Sequence, residues 1–135
     1  MSQQAKILVI DDDQDMVAAL ELFLEGENFQ VLSATDADEG VELARRERPD
    51  VVVLDLMLTP RSGIEVYQEL RREPALARTK VLFLSALKQK MHRDRFSPEL
   101  EACWEAEDFL DKPVEPETLV ERIRQLVAER REEPG

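Results

Sequence analysis

Four aspartates, Asp11, Asp12, Asp13 and Asp15, crowd directly behind the oily run Ile7-Leu8-Val9-Ile10. Like charges held together at the end of a buried segment repel, so a fold that keeps them there needs a compensating charge. Asp55 ends a second oily run, "DVVVLDL". Ser85 ends a third, "KVLFLSA", and Lys112 follows a short "DFLD". Carboxylates with one hydroxyl and one ammonium make a set able to hold a hard cation beside a phosphoryl group. Each acid taken singly reads equally well as a helix N-cap. Only the joint arrangement points to chemistry.

These groups meet only if the runs lie side by side in one sheet. "KILVI", "FQVLSA", "DVVVLDL" and "KVLFLSA" are short, rich in Val, Ile and Leu, and apolar on both faces. That is what buried parallel strands require, with "DFLD" as a weaker fifth. Helical patterns lie between them. Residues 14–25 place Met16, Val17, Leu20, Phe23 and Leu24 on one stripe, with Gly26 as the stop. Residues 37–47 carry Val41, Leu43 and Ala44 before "RPD" ends the helix. In "SGIEVYQELRR", Ser62 and Glu65 have capping-box spacing. Pro116 opens a last helix through Leu119, Val120, Ile123, Leu126 and Val127.

Strand and helix alternating five times predict a three-layer α/β sandwich with right-handed crossovers. In such sheets functional groups collect where the strands' carboxyl ends meet the loops, which puts Asp11–Asp13, Asp55, Ser85 and Lys112 on one edge. Residues 5–128 form this domain, and 129–135 are expected to be a short charged tail. Between Leu87 and Glu107, "KQKMHRDR" reads as a solvated basic face, and "SPELEACWEAE" as a helix capped by Ser97 with Pro98 at its first position. His92 reads as solvated within that face, and Trp104 as packed against the sheet edge or a neighbouring helix.

Composition narrows the function classes. With 43% hydrophobic and 36% charged residues, the 135-residue chain is globular rather than disordered. Eighteen basic residues against 30 acids give a formal charge of −12, which argues against direct DNA binding. No apolar run approaches membrane-spanning length, and "MSQQAK" lacks a signal-peptide core, so a cytoplasmic protein is expected. Cys103, the only cysteine, is expected to pack rather than pair. Four glycines, Gly26, Gly40, Gly63 and Gly135, form no phosphate-cradling loop, which counts against a nucleotide- or flavin-binding protein. An aspartyl phosphatase needs a second acid two positions after its nucleophile, where this chain has Met57.

The segments "ILVIDDD", "PDVVVLDLMLTPRSG", "VLFLSA" and "DFLDKPVEPETL", in this order and spacing, resemble the response-regulator receiver domain of two-component signalling, over about residues 5–128. The resemblance implies a flavodoxin-like doubly wound (βα)5 sandwich whose five-stranded parallel sheet has the order 2-1-3-4-5. It implies that Asp55 receives phosphate from a sensor histidine kinase or phosphotransfer protein. Asp12, Asp55 and the backbone carbonyl of Met57 then bind Mg²⁺ directly, and Asp11 assists through water. Asp13 caps the first helix. Lys112 and Ser85 contact the phosphoryl group, and Ser85 with Phe109 forms the switch.

The chain is thus read as a signalling switch, not an enzyme with a separate substrate. Its partners would be the phosphodonor, a downstream protein target and, as one arrangement, a second copy in a homodimer. A pseudo-receiver that binds partners without taking phosphate is the alternative, although such a protein would normally have lost an acid or the lysine. Some positions depart from the family. Thr59 stands where proline is common and Pro60 follows, which predicts an altered loop. Glu105 replaces a glycine, and the stretch from Ser85 to Lys112 is a few residues long. Beside the reading of its basic cluster as a solvated face, partner docking at Lys88, Lys90, Arg93 and Arg95 is the minority reading. The Lys112–Pro113 peptide is expected to be cis.

Overall fold

The computed structural model describes residues 4–58, 60–85 and 108–132. Five strands, β1 (Lys6–Ile10), β2 (Gln30–Ala34), β3 (Val51–Asp55), β4 (Lys80–Ser85) and β5 (Asp108–Asp111), pair in parallel in the order β2-β1-β3-β4-β5. The helices are α1 (Gln14–Gly26), α2 (Ala37–Glu47), α3 (Gly63–Arg72) and α4 (Pro116–Glu132), with a 3₁₀ turn at Pro74–Leu76. This is the doubly wound sandwich expected, with the strand order the resemblance implied.

Side-chain alternation explains why these strands are apolar throughout. Leu8, Ile10, Val52, Leu54, Val81 and Phe83 turn to the layer containing α2 and α3. Ile7, Val9, Val51, Val53, Leu82 and Leu84 turn to the layer containing α1 and α4. All twelve are fully buried, so a polar residue at any of them would lose its hydration without gaining a partner. Register then aligns the strand ends. Ile10 pairs with Ala34 and Leu54, Asp55 with Leu84, and Ser85 with Asp111. The residues just beyond each strand therefore share one edge.

Two local features differ from expectation. Gly26 is the last residue of α1 rather than its left-handed stop. Asn28 takes the positive φ of 74° instead, a conformation that a short polar side chain tolerates. α2 ends where it is read to end, before "RPD": Arg48 takes the left-handed region, and the following Pro49 disfavours a further helical residue. α4 runs to Glu132 rather than giving way to a tail at 129; Arg130, within it, lies 3.2 Å from Asp50. The capping box is present as read, with Ser62 and Glu65 bonding reciprocally. The expected Ser97 helix, the basic stretch with Lys88, Lys90, His92, Arg93 and Arg95, and Cys103, Trp104, Glu105 and Thr59 lie outside the described residues.

Candidate functional site

The three consecutive aspartates divide into different roles. The Asp11 amide donates to the Ala34 carbonyl (3.1 Å), which carries the β1–β2 ladder one residue further and draws Asp11 into the fold. Asp11 is fully buried, and its Oδ1 accepts the Asp13 amide at 2.9 Å. Asp13 in turn accepts the Met16 amide at 3.1 Å and is the N-cap of α1. Asp12, between them, is exposed. One carboxylate oxygen from each of Asp11, Asp12 and Asp55 lies within 4.8 Å of the other two.

Asp55, the last residue of β3, is 3% exposed. Its Oδ1 accepts the Met57 amide at 3.1 Å, which fixes both the carboxylate and the peptide that follows it. Leu56 and Leu58 anchor this loop in the core while Met57 stands exposed between them. At its far end the Gly63 amide donates to the Leu56 carbonyl at 3.0 Å. A Cβ on Gly63 would fall 2.3 Å from the Asp55 carbonyl oxygen, so only glycine lets α3 start this close to β3. Gly63→Ala is expected to cost about 1–3 kcal/mol, as overpacked sites do, and to displace Asp55. Urea unfolding checks the first effect, and amide exchange at Met57, whose amide bonds Asp55, checks the second. Wild-type values for both would mean that the close approach does not matter.

Lys112 closes the site from β5. Its amide donates to the Ser85 carbonyl at 2.7 Å, and its peptide bond to Pro113 is cis. The ammonium lies 2.8 Å from Asp11 Oδ2 and 3.5 Å from Asp55 Oδ1. Ser85 is buried at the neighbouring strand end. Phe109 is half-buried and stacks on Phe83 with ring centroids 5.0 Å apart; Tyr67 meets Phe83 at a tilt, with centroids 5.5 Å apart. The structure thus gathers Asp11, Asp12, Asp55 and Lys112 around one point. Ser85 stands beside them, and Phe109, partly buried, packs against the core rather than among the acids.

Burial pushes the Asp55 carboxyl above its ordinary range. The Met57 amide opposes this, Asp11 adds to it, Lys112 opposes it, and Asp12 adds further. For Lys112, burial would lower the ammonium's pKa, but the contacts with Asp11 and Asp55 outweigh it and the net shift is upward. Three carboxylates facing one ammonium leave an unbalanced negative charge. Three hard oxygen donors at this spacing fit a divalent cation such as Mg²⁺.

A family model for the response regulator receiver domain matches residues 7–124. The chain belongs to that family. Among its relatives is the alkaline phosphatase synthesis transcriptional regulatory protein PhoP of Bacillus subtilis, 34% identical over 122 residues, with 90% of this chain and 48% of that protein covered. Protein PilH of Pseudomonas aeruginosa is 31% identical over 128 residues, covering 92% of this chain and 98% of PilH. This receiver domain therefore spans about half of the first relative and nearly all of the second. In structure it resembles chemotaxis response regulator CheY4 of Vibrio cholerae, with a TM-score of 0.80 and 25% identity over 92% of this chain and 99% of that one. The CheY-like receiver of Methanospirillum hungatei has the same fold, with a TM-score of 0.83 at 23% identity over 98% of this chain and 100% of that one. No helix among the described residues is long and apolar enough to cross a membrane.

Sequence reasoning finds the aspartates and the lysine because each ends an oily run. It does not single out Arg61, which follows Pro60 in the loop after Asp55 and stands in no hydrophobic period.

Proposed function

We propose that this receiver domain takes a phosphoryl group onto Asp55 from the phosphohistidine of a sensor kinase or phosphotransfer protein, and that the modification switches a protein-interaction surface. The observation that carries the reading is a buried carboxylate 3.5 Å from an ammonium and within 4.8 Å of two further acids. Asp55 Oδ1 is engaged by the Met57 amide and Lys112, which leaves Oδ2 to attack phosphorus in line. The Oδ2–phosphorus bond forms as the nitrogen–phosphorus bond breaks, and the donor imidazole keeps the electron pair and takes up a proton. Lys112 can follow the charge from the carboxylate to the phosphoryl oxygens with little movement, the preorganised stabilisation on which phosphoryl transfer depends. Ser85 can donate its hydroxyl to a phosphoryl oxygen. Attack by water on the acyl phosphate resets the switch.

Asp12, Asp55 and the Met57 carbonyl would hold Mg²⁺, with Asp11 acting through water. Bound there, the ion supplies positive charge to the phosphoryl oxygens. Mg²⁺ at 100 times its dissociation constant should stabilise the wild type by about 2.7 kcal/mol. Asp12→Ala is expected to abolish that gain. Asp13→Ala should cost about 1 kcal/mol through the lost cap and keep the gain. Thermal unfolding with and without Mg²⁺ checks all three. Loss of the response in Asp13→Ala but not in Asp12→Ala would mean that the ion uses the other aspartate.

Phosphate is read, on this proposal, through Ser85 and Phe109. A Ser85 drawn toward the phosphoryl group vacates space beside β4 into which the Phe109 ring can turn. Lacking a tyrosine hydroxyl, Phe109 would be held there by packing alone. The modification shifts the population only as far as it favours one ring position over the other. The surface around β5 and α4 would then carry the signal to a downstream protein.

A further inference from the structure

The polar cluster around Arg61 lies outside both the three aspartates and the core. Arg61 reaches from the β3–α3 loop to two helices. Its Nη1 bonds Glu69 Oε1 on α3, and its Nη2 lies 2.9 Å from Asp38 Oδ1 in the first turn of α2. Glu69 is itself held from the other side, by Arg45 of α2 at 2.8 Å, and Arg45 Nε reaches Glu73 at 3.0 Å. Glu69 stays ionised through its bond to Arg61, which pulls its carboxyl below the usual range.

We infer that Arg61 is a positioning residue for the phosphoacceptor site, fixing the loop that carries Met57; this rests on Asp55 being the acceptor. Among the described residues of the loop from 56 to 62, the buried apolar anchors are Leu56 and Leu58, in its first half. Pro60 is exposed, so apolar burial does not hold the return path to Ser62. Arg61 supplies the missing anchor, because outward movement of the loop breaks its bonds to α2 and α3 together. A planar guanidinium can serve two carboxylates at once, whereas a lysine ammonium is a single point of charge. Partly exposed ion pairs contribute little to global stability, so the consequence is local. The Met57 amide bound to Asp55 and the Gly63 amide bound to Leu56 are the two hydrogen bonds that this anchor keeps in register.

The test uses the full chain with Arg61→Ala, Arg61→Lys and Arg124→Ala. The last removes a partly exposed ion pair with Glu27, remote from the aspartates. Without metal or phosphodonor, amide exchange at Met57 and Gly63 should be about tenfold faster in Arg61→Ala, as expected for the loss of a charge-assisted hydrogen bond. It should be partly restored in Arg61→Lys and unchanged in Arg124→Ala. Mg²⁺ affinity should fall about tenfold in Arg61→Ala alone, the usual scale for groups that orient metal ligands. Phosphoryl uptake from acetyl phosphate should slow with it, and the unfolding midpoints of Arg61→Ala and Arg124→Ala should shift alike. Wild-type exchange at both amides overturns the inference. So does faster exchange with Mg²⁺ affinity and phosphoryl uptake unchanged. If the wild type itself neither binds Mg²⁺ nor takes phosphate, the assignment of Asp55 falls instead, and the two amides alone decide whether Arg61 anchors the loop.

Discussion

Lys112→Met is expected to slow phosphoryl uptake from acetyl phosphate by about 10²–10³-fold, the scale on which loss of one preorganised charge-stabilising group acts. The ammonium touches both Asp11 and Asp55, so no other cation in direct contact with them replaces it among the described residues. The same substitution leaves two buried carboxylates without their counter-ion. Breaking a buried pair by removing one partner costs about 3–5 kcal/mol, and urea unfolding in EDTA at neutral pH should show a loss of that order. In the wild type this contribution is complete below the ordinary lysine pKa, about 10.4. It is lost as pH rises through the raised folded value, so the stability gap between wild type and Lys112→Met should close in strongly alkaline solution. A substitution that leaves both uptake and stability at wild-type levels would remove Lys112 from the site.

Asp55→Asn should take up no phosphate, because an amide oxygen is a far poorer nucleophile than a carboxylate. It should nevertheless unfold at a higher temperature than the wild type in metal-free neutral buffer. Burial raises the Asp55 pKa, so the folded state favours the protonated form. Stability is therefore greatest below the unfolded value, about 3.9 for aspartate. It declines as pH rises through the higher folded value. Asparagine has no such decline, and its advantage should vanish in acid. Mg²⁺ should reverse the ranking at neutral pH by stabilising the wild type alone. Equal melting temperatures of the two proteins at neutral pH in EDTA would mean that the buried carboxylate carries no strain.

What can be read in the sequence depends on whether a feature is local. The helix stripes, the Ser62–Glu65 box and the acids behind Ile10 and Leu54 are set within a few residues, and all are found in the fold. Strand order is not local. Strands buried on both faces carry the same oily pattern in any position, and only family resemblance supplies the order 2-1-3-4-5. The turn after α1 escapes prediction because glycine is the commoner left-handed residue, yet Asn28 takes that conformation two positions later. The end of α4 lies beyond the expected one because "ERRE" offers no apolar stripe. Arginine and glutamate are good helix formers, and Arg130 finds Asp50 across the fold. The Arg61 cluster is invisible for the same reason. Its partners Asp38 and Glu69 are far apart in sequence, and nothing in exposed charges announces which will meet.

The assignment of Asp55 as phosphoacceptor is tested most directly by incubating the wild-type chain with acetyl phosphate, in Mg²⁺ and in excess EDTA, and locating the added group by tandem mass spectrometry. The expected result is a single phosphoryl group on Asp55, formed in Mg²⁺ and nearly absent in EDTA. A phosphoryl group on any other residue, or equal modification with and without the metal, would contradict the assignment.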